Sequence, residues 1–335
     1  MRAGPALRRV RGVDAATDRA LRRSAPRGGG PAAAWGLLAG VGLDALLADP
    51  RRGHPVAVFG AAAGRLERRV HRDNRAVGAA YAGLLCCAVA LAGSVTGRST
   101  RATPAGLAVL TAVATWAVLG GTTLRREAAA MEALLRAGDL TAARERVTHL
   151  CGRDPEQLDA AGLARATVES VAENTSDAVV APLLWGAALG VPGLLAYRAV
   201  NTLDAMVGHR SPRHLRFGWA AARADDLANL VPARVTATLV VGLAPVVGGR
   251  PRAALRAWRR DGRKHPSPNA GPVEAAFAGA LGRTLGGRLA YGGRSEDRPL
   301  LGDGPAPDVD DISRAARLSL AVSLAATALA VAGCR

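Results

Sequence analysis

The sequence predicts an all-α, polytopic helical membrane protein with polar loops facing the cytoplasm and helical hairpins that re-enter the bilayer. Three observations lead there. Of 335 residues, 49% are hydrophobic but only 3% aromatic, so the apolar content is Ala, Leu, Val and Gly, which suits close helix packing in lipid. Several runs lack charge over roughly the 17 to 25 residues that a bilayer core requires. Dense polar stretches alternate with those runs.

In chain order, residues 1 to 30 carry eight arginines and close on Gly28 to Gly30 without a periodic apolar face. This predicts a disordered basic tail ahead of a single integral-membrane domain over 31 to 335. The run Ala32 to Ala48 follows; no small-x-small cleavage site lies cleanly behind it, so it is expected to be retained. Asp44 inside this run is expensive in lipid and should face protein or a polar cavity.

Ala76 to Val95, Pro104 to Leu124 and Leu318 to Cys334 are the strongest spans. Ala178 to Tyr197 is also uncharged, but Gly190, Pro192 and Gly193 interrupt it, and Val235 to Gly249 is short and contains Pro245. Both predict broken or re-entrant elements, which survive only where protein covers the backbone. Between the spans, Arg125 to Arg146 has the three-to-four spacing of an amphipathic helix. Arg294 to Asp311, rich in Gly, Pro and Asp, predicts a flexible loop.

The net charge of +17 is nearly all arginine. Nucleic-acid binding is disfavoured, because the arginines are spread over every polar segment with no basic stripe and no interleaved aromatics. Arg-rich cytoplasmic loops next to anionic lipid account for the charge. Cys86, Cys87, Cys151 and Cys334 form no metal-ligand spacing with the histidines, and no disulfide framework is expected.

Chemistry-bearing residues cluster in the polar stretches. Glu169, Glu173 and Asp177 are four apart, so a continuous α-helix puts them on one face. Such a face calls for a cation, unless it is simply solvated. Tyr197-Arg198, Asn201 and Asp204 precede Arg223, Asp225-Asp226, Asn229 and Arg234. On a helix Asp225, Asp226 and Asn229 make a hard-oxygen cluster suited to magnesium bound with phosphate, although Arg–Asp pairing within the chain explains the same residues. Arg223 and Arg234 could hold phosphate oxygens. Lys264 is the only lysine in the chain. It opens a stiff, Gly-rich stretch with His265, Ser267 and Asn269, followed by Glu274 and by the glycines through Tyr291-Gly292-Gly293. His54 before Pro55 could act in proton transfer, or serve as an ordinary loop histidine.

Taken in order, five segments resemble the adenosylcobinamide-phosphate synthase family, CobD/CbiB. They are Asp49-Pro50 with His54-Pro55-Val56; Glu169-Ser170 with Glu173-Asn174; Asn201-Thr202-Leu203-Asp204 with Met206 and Gly208; Asp225-Asp226 with Asn229 and Pro232-Ala233-Arg234; and Lys264 to Gly271. The likeness runs from about residue 36 to 293 and departs at Ala178 and Ala205, where the family commonly has Gly and Ser. It implies a multi-span enzyme of the cell inner membrane in cobalamin biosynthesis, a carbon-nitrogen amide ligase. Such an enzyme joins aminopropanol or its phosphate to a propionate of the corrinoid cobyric acid, with ATP as substrate and magnesium as cofactor. The catalytic set on this reading is Glu169, Glu173, Asp225 and Lys264. Asn174, Asn201, Asp204, Arg223, Arg234, His265, Ser267 and Asn269 bind substrate, and Asp225, Asp226 and Asn229 hold the metal. There is no G-x-x-x-x-G-K-[ST] loop. One cytoplasmic site requires residues 178 to 197 and 235 to 249 to form re-entrant or buried helical hairpins, or the polar clusters to meet at membrane depth. The alternatives are a membrane prenyltransferase, with magnesium diphosphate on the Asp204 and Asp225 motifs, and a transporter using buried acids as a relay.

Overall fold

The computed structural model describes residues 30–50, 52–100, 103–151, 155–209, 211–291 and 294–334. The expected tail, residues 1 to 29, and the pair Gly292-Gly293 lie outside them. Helices α1 (Gly30–Leu47), α2 (Pro55–Val70), α3 (Arg75–Thr100), α4 (Pro104–Val118), α5 (Gly121–Arg136), α6 (Leu140–Val147) and α7 (Ala160–Thr175) lead to a π-helical turn, Ser176–Val180. After it come α8 (Ala181–Leu189), α9 (Val191–Leu203), a second π-helical turn (Asp204–Gly208), α10 (Trp219–Ala228), α11 (Leu230–Leu243), α12 (Pro251–Asp261) and α13 (Ala270–Leu281). A hairpin of β1 (Leu285–Tyr291) and β2 (Arg294–Leu301) and a last helix, α14 (Val309–Gly333), complete the chain.

The chain is a multi-pass membrane protein: among the described residues five helical stretches are long and apolar enough to cross, Gly30–Leu47, Arg75–Ser99, Pro104–Arg136, Leu230–Val247 and Val309–Gly333. Their outer faces carry exposed Trp35, Leu38, Leu84, Leu91, Val109, Leu320 and Leu324, as expected of surfaces that meet lipid tails. Small residues let the spans approach. Gly36 and Gly40, four apart on α1, lie against Thr111 and Thr115 of α4 and against the Ala108 and Ala112 carbonyls, so a Cβ at either would collide with backbone. The expected span from Pro104 to Leu124 is not continuous, because the helix opens at Leu119-Gly120, where the Gly120 amide instead donates to the Ala178 carbonyl at 3.2 Å. The amphipathic stretch Arg125 to Arg146 is likewise two helices, with Gly138 in the left-handed region (φ 72°) at the turn.

Helices α8 and α9 form the hairpin that the glycines around 190 foretell. Gly190 turns the chain (φ 67°), and Gly193 at the start of α9 sits against the Trp185 carbonyl near the end of α8. The two arms therefore run back along each other, and the Tyr197 hydroxyl on the returning arm comes within 3.1 Å of the Asp177 carbonyl on the outgoing one. Helices α10 and α11 follow each other almost without a break: Asn229 between them stays helical (φ −91°, ψ −6°), its amide donates to the Asp225 carbonyl at 2.9 Å and its own carbonyl accepts the Ala233 amide at 2.9 Å, and Leu227, Leu230 and Val231 are exposed around this joint. The element over 235 to 249, expected to be broken or re-entrant, is instead part of a helix that begins at Leu230 and continues through a 3-10 turn to Val247, a stretch long and apolar enough to cross.

Every residue of α13 is buried. The stretch from Arg294 is not the loop that its composition suggests: Arg294 to Leu301 pairs antiparallel with Leu285 to Tyr291. The base of the hairpin is held on both strands. The buried Glu169 carboxylate accepts the Gly286 amide at 2.6 Å, and that of Asp261 accepts the Gly302 amide at 2.9 Å. Gly286 and Gly287, at φ 84° and 87°, permit the backbone bulge that presents the first amide.

Candidate active site

The polar motifs meet where α1 ends, where α7 passes into the α8–α9 hairpin, and where α10 meets α11. Asp44 on α1 is 5% exposed, and its Oδ2 accepts the Thr122 amide at 3.1 Å and hydroxyl at 2.8 Å, so this intramembrane acid faces protein as expected. Asp49 lies close to Gly120, which in turn touches Ala178, and His54 Nε2 is 3.4 Å from Asp49 Oδ1. The first family segment is thereby brought to the second.

Asp225 is the hub. Asn229 Nδ2 donates to its Oδ2 at 3.0 Å and Asn201 Nδ2 to its Oδ1 at 3.3 Å, while Asn229 Oδ1 is 2.8 Å from the Tyr197 hydroxyl. The charges of Glu173, Asp204 and Asp225 all act on Asp177. Burial, then Asp225, Asp226 and Glu173 in turn, push the Asp204 carboxyl up to about 7. Burial also raises Asp225 above the usual carboxylate range, against the donors from Asn229 and Asn201, with Asp226 adding to the rise.

A buried cation, Arg198, stands beside these acids, and the motif spacing passed over it. Arg198 reaches Asn201 Oδ1 at 3.3 Å, its buried Nε has no hydrogen-bond partner, and Asp49 and Asp177 are its acidic neighbours. The signal in the sequence was Arg198 itself, a charge deep in a run otherwise free of charge.

The three acids four apart do not act as one face. The π-helical turn at Ser176 shifts the register after Thr175, and Glu169 is committed to Gly286, so only Glu173 and Asp177 share the pocket. Asn174 turns back onto the Ser170 carbonyl at 2.9 Å. The oxygens expected to ligate metal are also divided. Asn229 is spent on Asp225 and Tyr197, Asp226 faces Arg223 at 3.3 Å, and among the described residues no group of three Asp, Glu, His or Cys stands ready for a metal ion.

A second polar group adjoins the first. Arg234 Nη1 donates to Asn269 Oδ1 at 2.8 Å, and Asn269 Nδ2 to the Asp226 carbonyl at 2.7 Å, tying the segment after α12 to the joint between α10 and α11. Ser267 Oγ accepts the Ala270 amide at 3.1 Å and so starts α13. His265 is buried 2.8 Å from Arg298 and 3.9 Å from Glu274. Lys264 has a different engagement: Nζ is 2.8 Å from Asp261 Oδ1, in the clamp that also holds Gly302.

A family model described as CobD/Cbib protein matches residues 37–319. The chain belongs to that family. It is 57% identical over 299 residues to the cobalamin biosynthesis protein CobD of Mycobacterium tuberculosis (strain ATCC 25618 / H37Rv), covering 89% of this chain and 95% of the relative. The protein of the same name from Geobacter metallireducens is 45% identical over 273 residues, covering 80% and 86%, and that from Chromobacterium violaceum 44% over 286 residues, covering 82% and 88%. No solved structure matches the chain. All five segments singled out by resemblance lie within the matched span, and they converge on the pocket and its border, whereas the expected tail lies before it.

Proposed function

We propose that the chain is an amide-forming enzyme of cobalamin biosynthesis that joins aminopropanol or its phosphate to a propionate of cobyric acid, driven by ATP. The observation that carries this reading is the convergence of Glu173, Asp204 and Asp225 on Asp177, with the incompletely satisfied Arg198 beside it, in a family whose relatives are named for that pathway.

Forming an amide from a free carboxylate requires activation. A propionate oxygen attacks the terminal phosphorus of ATP and ADP leaves; the amine nitrogen then attacks the acyl carbon, phosphate leaves, and a carboxylate takes the amine proton. Glu173, exposed at the pocket, is the reachable acceptor for that proton. Arg198 carries donors suited to the propionate or the phosphoryl oxygens. Asn201 and Asn229 hold Asp225 in orientation from opposite oxygens. Arg223, exposed on the rim beside Asp226, and Arg234 beside Asn269 border the same space and suit an anionic substrate.

The donor set fits magnesium, a hard ion that takes one or two carboxylates and completes its shell with water and substrate phosphate. Asp225 and Asp226 would hold it, with Asn229 fixing Asp225; when bound, it would neutralise phosphate charge. That mode needs no preformed three-ligand cage, in keeping with the arrangement here.

The test is incubation of membranes carrying the expressed protein with cobyric acid, ATP, magnesium and either aminopropanol or its phosphate, with mass-spectrometric detection of the amide. Product that disappears in Asp225→Asn supports the reading. No product from well-inserted protein with either amine overturns it.

A further inference from the structure

Tyr197 lies outside the five family segments and, at 3% exposed, is too enclosed to touch substrate, yet its hydroxyl stands one side chain behind Asp225. A buried phenol keeps a hydrogen-bond partner. Here one hydroxyl hydrogen has two acceptors, Asn229 Oδ1 at 2.8 Å and the Asp177 carbonyl at 3.1 Å. The shorter contact bears on which way Asn229 faces.

A carboxamide carries an acceptor on one side and a donor on the other, and its surroundings decide between the two orientations. Asn229 is 1% exposed, so solvent offers little to either. With Nδ2 donating to Asp225 Oδ2 at 3.0 Å, the Asn229 carbonyl meets the Tyr197 hydroxyl. Turned over, that carbonyl would confront a carboxylate oxygen, acceptor against acceptor. Loss of the hydroxyl takes a donor from a buried carbonyl and weakens what keeps the NH2 side on Asp225.

The other carboxylate oxygen has the same arrangement. Asn201 Nδ2 donates to Asp225 Oδ1 at 3.3 Å, and Arg198 Nη1 donates to Asn201 Oδ1 at 3.3 Å. Consecutive residues of α9 thus stand behind the two amides that clasp Asp225. Each Asp225 oxygen gives one lone pair to an amide and keeps another, and the clasp fixes where the remaining ones point. Arg198 brings a charge of its own to the pocket. Tyr197 is neutral and enclosed, so its contribution is orientation alone.

We infer that Tyr197 is a positioning residue: its hydroxyl locks the Asn229 amide and, through that amide, holds the Asp225 carboxylate in a single orientation for a divalent cation. This role rests on the proposed contact of Asp225 with magnesium and names the residue that prepares it. Groups that orient a metal ligand change affinity or turnover by about 10- to 100-fold when removed, and Tyr197, one step further back, belongs at the lower end of that range. The competing role is structural, because Asp177 lies in the π-helical turn and a hydroxyl serving only its carbonyl would matter to folding and not to Asp225.

The experiment uses the full chain in neutral detergent, with Mn²⁺ as the probe and free ion counted by electron paramagnetic resonance, alongside amide formation from cobyric acid. Mn²⁺ held by the wild type and lost in Asp225→Asn marks the site. Tyr197→Phe removes one oxygen and keeps the ring; expected are about tenfold weaker Mn²⁺ binding and about tenfold lower kcat, with KM for cobyric acid unchanged. In an Asn229→Ala background the same substitution should shift Mn²⁺ affinity by less than about twofold, since its route to Asp225 is gone; Asn229→Ser takes the place of an Asn229→Ala chain that does not fold. Affinity within about twofold of the wild type in folded Tyr197→Phe overturns the inference. So does an equal loss with and without Asn229, which assigns the hydroxyl to the Asp177 carbonyl. A Tyr197→Phe chain that does not fold, or a wild type without Asp225-dependent Mn²⁺ binding, overturns it as well. A wild type that binds Mn²⁺ but forms no amide ends the proposed reaction and leaves the role of Tyr197 to be decided by the Mn²⁺ affinities.

Discussion

Asp261 and Asp204 are the same residue type in one chain, yet the fold treats them oppositely. Around Asp261, burial alone would oppose the charge, but donors from Arg260, Lys264 and the Gly302 amide hold the carboxyl well below its usual range. Around Asp204, burial is joined by Asp225, Asp226 and Glu173, and the carboxyl rises to about 7. The first carboxylate is fully used inside the protein. The second belongs to a group whose charge the protein leaves uncompensated, which is the electrostatic mark of a site awaiting a cation or an amine.

Neutralising the pocket should cost activity and not structure. Asp225→Asn is expected to lower amide formation by at least about 100-fold, since an electrostatic contact in a dry site is worth that order. Its thermal unfolding midpoint in detergent should stay or rise, because repulsion with Asp177 and Asp226 is relieved. A midpoint that collapses along with activity would put Asp225 in the same class as Asp261 and erase the comparison.

Asp261→Asn should do the reverse. Its side chain is 1% exposed and its partners Arg260 and Lys264 are half-exposed, so the cost comes from weakening charge-assisted hydrogen bonds to a buried group, about 1–3 kcal/mol. The midpoint should fall steeply and the β-hairpin should become protease-sensitive, while the protein that remains folded at low temperature still turns over. Loss of turnover in intact, folded protein would move Asp261 into the reaction.

The contrast also predicts a pH dependence. The folded-state pKa of Asp204 lies above the unfolded value, so its contribution is fully present below about pH 4 and is lost as pH rises through about 7. Substrate-free, metal-free protein should therefore lose midpoint between about pH 4 and 7 in excess of what Asp204→Asn loses. Parallel slopes for the two proteins would show that Asp204 is not held neutral.

Much of this was legible in the sequence, for reasons that differ by region. The spans were visible because a run of bilayer length without a single charge is too apolar to be left in water and too long for an ordinary strand. The α8–α9 hairpin was visible because Gly190 and Gly193 break a run whose two flanks must share one site. What stayed hidden was long-range. Nothing local announces the π-helical turn that moves Asp177 out of register with Glu169, and turn-forming composition from Arg294 concealed a strand whose partner is Leu285 to Tyr291. Arg198 was visible as a lone charge, but its open Nε depends on which acids arrive from α1 and α7.

Lys264 gives the smallest and most discriminating effect. The resemblance places Lys264, the only lysine, in the catalytic set, and the fold holds it in a half-exposed ion pair 2.8 Å from Asp261. Arg260 already grips Asp261 through two hydrogen bonds of 2.6 and 2.8 Å, so the clamp does not depend on the lysine alone. Exposed pairs are worth about 0–1 kcal/mol, and Lys264→Ala should lower the midpoint by only a few degrees while leaving kcat within about threefold of the wild type. Lys264→Arg keeps the pair and should be indistinguishable in stability. If arginine restores the midpoint but not kcat, the ammonium is needed as a point charge near the transferred phosphoryl group; the boundary between the satisfied and unsatisfied regions would then run through residue 264, with Asp261 on one side and its own partner on the other.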